Sequence, residues 1–265
     1  MKFFDFHTHV YPPALAERAT RATCDFYSLD TDFVGTAEAL LARGRAAGVT
    51  GYLLLPVAVH PHGVRRVNEY IVEQTAAHPE FYGFGTIHHD MEHVLDELDH
   101  IRAVGLRGLK LHPDMQEINT DDERLYPVYE RLCELQLPLM IHCGDKTRDF
   151  SHPRRLRRVL DRFPSLTVVA AHLGGWSKFD EALDCLGETG CLVDISSCMP
   201  FLPPDEIVRY VRGYGAHRVL FGTDFPMQDP VAERERLLSL DLTDEEKERI
   251  AYQNAEKLLG IGEKS

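Results

Sequence analysis

The sequence has no apolar run near the ~20 residues that a membrane-spanning helix needs, which argues against an integral membrane protein. Its opening, MKFFDFHTHV, lacks an apolar core and a cleavage site of the signal-peptide kind, so a cytoplasmic protein is expected. The six cysteines are scattered with no CxxC pair, a pattern of reduced thiols rather than a disulfide framework. Basic charge is scarce: 29 Lys and Arg stand against 42 Asp and Glu, a net charge of -13. A field of that sign repels phosphate backbones and anionic membrane surfaces, which disfavours nucleic acid and membranes as partners. No glycine-rich dinucleotide fingerprint follows the first apolar segment, and there is no linker or low-complexity stretch.

What is present is an alternation. Eight short apolar segments, 2–7, 51–57, 82–87, 107–112, 137–142, 166–172, 190–196 and 217–223, read as buried parallel strands. Helical patterns lie between them, near 36–48, 64–78, 90–104, 121–136, 152–163, 177–188, 204–214 and 230–239. A last helix is expected over about 243–259, where Thr243 precedes Glu246 by three residues, the spacing of a capping box. Eight strand–helix units are the closing number of a (β/α)8 TIM barrel, predicted here as one domain over residues 1–265. The one long excursion, 10–35, is read as a loop that covers the substrate.

Active sites of such barrels lie at the carboxyl ends of the strands, so the polar residues that end each strand carry the functional reading. Strand one ends in His7-Thr8-His9, strand four in Lys110 and His112, strand five in His142, strand six in His172 and strand eight in Asp224. Alternation places His7 and His9 on one face, where two imidazoles make half of a site for zinc, manganese or iron. A carboxylate at the end of the apolar run VLFGTD needs a partner, and a cation supplies one to Asp224. His172 reads as a ligand of a second ion, a base, or a group that polarises substrate. Around the mouth the expected lining includes Tyr11, Arg18, Arg21, Cys24, Tyr27, His60, His62, His88, His89 and Cys198, with Lys146 and Arg148 favoured to hold a substrate carboxylate. Cys143, beside His142, reads as core packing rather than a nucleophile.

The strings DFHTHV, GLKLHP, MIHCG, AAHLGG and FGTDFP, in this order, resemble the amidohydrolase superfamily. More narrowly they are similar to the branch of aminocarboxymuconate-semialdehyde decarboxylase and related hydrolases, hydratases and lactonases. The resemblance spans nearly the whole chain. It implies a (β/α)8 barrel with one divalent ion on His7, His9, His142 and Asp224, Asp224 and His172 being the catalytic pair. It also raises a second ion at Lys110, His112 and His172, because a strand-four lysine is carboxylated and bridges two metals in binuclear members; a charge partner for substrate is the favoured role of Lys110. The implied reaction is attack of activated water on a small amide, ester or lactone. Decarboxylation or hydration of a small carboxylic acid by the same apparatus is the alternative. Two rivals remain, a metal-dependent phosphoesterase or nuclease and a barrel used only for binding. Self-association is expected of such barrels, though no interface is legible.

Overall fold

In a computed structural model, the structure describes residues 1–262. Nine strand pieces run in chain order: β1 (Phe3–Thr8), β2 (Val49–Leu54), β3 (Phe81–Gly83), β4 (Gly85–Thr86), β5 (Leu109–Leu111), β6 (Leu139–Ile141), β7 (Val168–Ala170), β8 (Leu192–Asp194) and β9 (Val219–Leu220). All pairings are parallel. The stave expected at 82–87 is broken at Phe84 into β3 and β4, and the Phe84 amide donates to the Leu54 carbonyl at 3.1 Å across the break. The ring closes between its ends: the Phe6 amide donates to Phe221 O at 2.9 Å, and the Asp224 amide to His7 O at 2.8 Å. The architecture is therefore the (β/α)8 barrel that the alternation predicts.

The helices are α1 (Pro13–Tyr27), α2 (Ala37–Ala46), α3 (Val64–Ala77), α4 (Val94–Ala103), α5 (Pro113–Gln116), α6 (Tyr126–Leu135), α7 (Pro153–Arg162), α8 (Phe179–Leu186), α9 (Pro204–Tyr214), α10 (Pro230–Ser239), α11 (Asp244–Glu248) and α12 (Asn254–Leu259). The reading of 10–35 as a loop is corrected: its centre is α1, started by Pro13 at the first helical position and stopped at Ser28 in the left-handed region. The segment 121–136 becomes helical only at Tyr126, because Asp122 caps a separate 3-10 turn and Pro127 lacks the amide that a helix interior needs. Thr243 and Glu246 form the expected capping box, but the helix it opens is interrupted by a π turn at Arg249–Gln253. The Phe221 amide donates to Ile250 O within that turn at 2.9 Å, so the barrel wall takes up the carbonyl.

Phe4, Phe6, Leu53, Leu55, Phe84, Met140, Val169, Ala171 and Leu220 fill the barrel, and Ala255 and Leu259 of α12 plug its lower end. The larger apolar layer lies between strands and helices. Ionisable groups sit above the plug, at the carboxyl ends of the strands. None of the described helices is long and apolar enough to cross a membrane.

Candidate metal centre

His7 comes directly after the interior Phe6, so strict alternation would turn it outward. The β1–β2 register slips between Asp5 and Thr8, and His7 and His9 both reach the mouth, their rings 5.1 Å apart. On β5, Leu109 and Leu111 face the helices while Lys110 and His112 face inward, as alternation predicts. His172 follows the interior Ala171 and needs another device: a φ of 59° turns it into the mouth. Asp224 also adopts a left-handed φ, 63°, at the closure of the barrel.

The hydrogen bonds decide which ring nitrogen each histidine presents. His7 Nδ1 lies 2.8 Å from Asp194 Oδ2, so it carries the proton and leaves Nε2 bare. His9 Nδ1 donates to the Leu55 carbonyl at 2.6 Å. His172 Nδ1 donates to the Ser196 carbonyl at 2.9 Å. His142 is inverted: Nε2 donates to the Gly144 carbonyl at 2.9 Å, and Nδ1 is the bare nitrogen. Each partner is a pure acceptor, so all four inner nitrogens are lone pairs. They converge. His142 Nδ1 and His172 Nε2 stand 3.1 Å apart, and Asp224 Oδ1 lies 3.2 Å from His9 Nε2 and 3.5 Å from His7 Nε2. Lone pairs and a carboxylate facing one another in a buried site repel unless a cation lies among them. Burial, and after it Lys110 for His7 and His112 for His142, pulls these two imidazoles well below the ordinary histidine range, which favours the neutral, ligating form. The donor set therefore fits a divalent ion.

His112 differs. Its Nδ1 accepts from the Met115 amide at 3.2 Å, so Nε2 carries the proton and donates to the Tyr27 hydroxyl at 2.6 Å. It offers a donor to the mouth where the others offer lone pairs. Lys110 Nζ lies 3.4 Å from His7 Nε2, and burial pushes its pKa down to about 8.

Sequence reasoning missed two residues. Asp194, wholly buried, accepts from the His7 ring, and its Oδ1 accepts from the His172 amide, the Ser196 amide and the Ser196 hydroxyl at 3.0, 3.0 and 2.5 Å. The Ser197 hydroxyl donates to Asp224 Oδ2 at 2.6 Å. The signal for Asp194 was in the string GCLVDIS: a carboxylate in an apolar strand, the argument that singled out Asp224.

The mouth opens into a cavity of about 400 Å³, walled by apolar residues such as Phe26, Val57, Val59, Met115, Trp176 and Met227. Of the expected lining, Tyr11 and Tyr27 are present; Arg18, Arg21, Cys24, His60, His62, His88, His89, Lys146, Arg148 and Cys198 are not. Lys146 instead packs over the Trp176 ring, and Arg148 over the Phe26 ring with Asp145 3.5 Å away. Cys143 is fully buried, and burial pushes its thiol up, as for core packing.

Known proteins share parts of this design. Over 93 residues the chain is 34% identical to a dihydroorotase of Pseudomonas fluorescens, a match spanning 29% of this chain and about a quarter (26%) of the dihydroorotase. It is 23% identical over 193 residues to a 3'-5' ssDNA/RNA exonuclease of Dickeya dadantii, covering 67% of this chain and 72% of that protein. A crystal structure of dihydroxybenzoic acid decarboxylase from Polaromonas sp. JS666, with bound manganese and the inhibitor 2-nitroresorcinol, superposes with a TM-score of 0.78 at 15% identity, covering 98% of this chain and 97% of that one. A family model described as Amidohydrolase matches residues 4–261, nearly the whole chain. Its motifs, its barrel and this match agree, and the chain belongs to the amidohydrolase family of metal-dependent enzymes.

Proposed function

We propose that this chain holds one divalent ion, zinc in the first instance, on His7, His9, His142 and Asp224, and hydrolyses a small amide, ester or lactone. The observation that supports the reading is that the bare nitrogens of His7 and His9 meet on Asp224 Oδ1, with that of His142 beside His172 at the same mouth, each ring fixed from behind by an acceptor. When bound, such an ion supplies Lewis acidity, polarising a carbonyl and acidifying water. Asp224 Oδ1, among the imidazoles, accepts the proton of the attacking water and passes it to the leaving group. The Ser197 hydroxyl holds the other carboxylate oxygen and so aims the first. His172 Nε2, its proton held on Nδ1 by the Ser196 carbonyl, is an acceptor that orients the same water. The apolar wall formed by α1, Trp176 and Met227 excludes bulk water and takes the uncharged body of the substrate.

Decarboxylation of a small carboxylic acid is the second reading, favoured by the fold shared with the dihydroxybenzoic acid decarboxylase and by one cation in the cavity. Lys110 lines it, whereas Lys146 and Arg148 pack over Trp176 and Phe26 of its wall, which favours Lys110 as the group that holds a carboxylate. One experiment tests the ion: bound metal is assayed in the purified protein, in His7→Ala and in Asp224→Ala. Metal that survives both changes refutes the ligand set. A panel of lactones, N-acyl compounds and aromatic carboxylates then separates the reactions.

A further inference from the structure

We propose that Tyr27 is a substrate-binding residue whose hydroxyl donates to a second acceptor oxygen of the substrate, a carbonyl or carboxylate oxygen set apart from the reacting group. Tyr27 is the last residue of α1, and Ser28, in the left-handed region, stops the helix there. The segment around the helix is tied down at several points. The Tyr70 hydroxyl donates to the Tyr11 carbonyl at 3.0 Å, the Gly35 amide donates to the Thr20 hydroxyl at 3.0 Å, and Phe33 packs on Phe225. The Tyr27 ring lines the cavity and meets Trp176 edge-on, with centroids 5.5 Å apart.

Where the phenol proton points follows from the two imidazoles beside it. His112 and His142 stack with planes 9° apart and centroids 4.1 Å apart, and both turn Nε2 towards Tyr27. The Met115 amide occupies the Nδ1 lone pair of His112, so the one proton of that neutral ring is on Nε2, 2.6 Å from Tyr27 Oη. His142 Nε2 donates to the Gly144 carbonyl at 2.9 Å and stands 3.3 Å from Oη. Both nitrogens that face Oη therefore carry protons, and neither can accept one. Among the described residues Oη has no other hydrogen-bonding partner. The phenol accepts at its oxygen, and its own proton is left for whatever enters the cavity. With Nδ1 occupied and Nε2 protonated, neutral His112 has no lone pair for a second ion.

The oxygen that Tyr27 binds is not that of the reacting group. His142 presents Nδ1 to His172 and Nε2 to Tyr27, so the width of an imidazole separates the hydroxyl from the proposed ion position. This separation rests on the ligand set proposed above, whereas the direction of the phenol proton does not. The apolar wall, with Phe26, Met115 and Trp176, takes the hydrocarbon body that joins the two oxygen groups.

The probes are 3- and 4-acetylbenzoate, each paired with the ethylbenzoate in which CH2 replaces the ketone. Both pairs are titrated by calorimetry into zinc-loaded and metal-free protein. Quenching of Trp176, the chain's single tryptophan and a wall residue, reports that the probe occupies this cavity. Tyr27→Phe is expected to lower the acetyl-to-ethyl affinity ratio about three- to tenfold for the better-bound isomer, the effect of one neutral hydrogen bond. The infrared stretch of a 13C-labelled ketone is expected at lower frequency when bound to wild type than to Tyr27→Phe. Lost packing weakens both members of a pair alike and leaves the ratio alone. A ratio that Tyr27→Phe leaves unchanged in both forms of the protein, or an unshifted ketone stretch, overturns the proposal. Bound zinc is assayed alongside in His7→Ala/Asp224→Ala. Zinc that survives that double change sinks the central ligand set alone, and a Tyr27-dependent ratio in the metal-free protein stands without it.

Discussion

Asp194→Asn provides the sharpest probe of the metal centre. The carboxylate is fully buried; Oδ1 accepts three hydrogens, from two amides and the Ser196 hydroxyl, and Oδ2 accepts the His7 ring proton at 2.8 Å. Asparagine keeps the volume, and its carbonyl oxygen stays with the three donors. Its amide nitrogen then faces His7 Nδ1 and donates. The imidazole must move its proton to Nε2, the atom that faces Asp224, and its lone pair for the ion is lost. A hydrogen bond to a charged group contributes ~1.5–3 kcal/mol, which at about 1.4 kcal/mol per decade is roughly a 10- to 150-fold loss of affinity. Outer partners of metal-bound histidines typically matter by ~10- to 100-fold, in agreement. Zinc and manganese affinities are measured by chelator competition, with urea unfolding of the metal-free proteins as the control. Full affinity in Asp194→Asn, with the fold intact, would refute the tautomer reasoning and with it the inward lone pair on His7.

Two further outcomes follow from the same structure. Gly144 has φ 83°, and a Cβ there would lie against the Trp176 amide and the Gly175 carbonyl carbon, backbone atoms that no rotamer change can move. Gly144→Ala is expected to destabilise the protein by ~2–4 kcal/mol in urea unfolding and to lower metal affinity through the carbonyl that holds His142; a loss under about 0.5 kcal/mol would contradict the packing. Glu233 is buried, with Oε1 accepting from Arg236 at 2.6 Å and Oε2 unpartnered, and burial raises its pKa from 4.5 to about 7. The folded state therefore favours the protonated form: the associated stability is complete below pH 4.5 and is lost as pH rises through 7, up to about 3 kcal/mol. Glu233→Gln removes that part of the slope between pH 5 and pH 8, and identical slopes in the two proteins would disprove it.

The chain sequence itself determined the class of fold and most of the chemistry-bearing positions. Eight apolar runs too short for buried helices, each followed by an amphipathic stretch, leave little but a parallel ring, and polar residues at the ends of such runs stand out because the runs around them are so apolar. Lys110 and His112 could be paired from strand alternation alone, which the geometry bears out. What sequence cannot supply is anything set by contacts between distant segments. The register slip in β1 that turns His7 inward, and the left-handed backbone that turns His172, depend on the closure of the barrel. The helix at 13–27 carries its own sequence signals, Pro13 at the start and an alanine-rich run, and to read it as a loop is to overlook them; what only the tertiary structure decides is its docking over the mouth, where Tyr27 meets His112. Lys146 and Arg148 sit close in sequence to His142, but they pack over Trp176 and Phe26, rings of the cavity wall, and are not themselves among its lining residues. Above all, which nitrogen of each histidine is bare depends on the carbonyls of Leu55, Gly144 and Ser196 and on Asp194, and three of those four groups belong to other strands or their exits. A proton's position is fixed by what lies within 3 Å in space, and only the tertiary structure determines that.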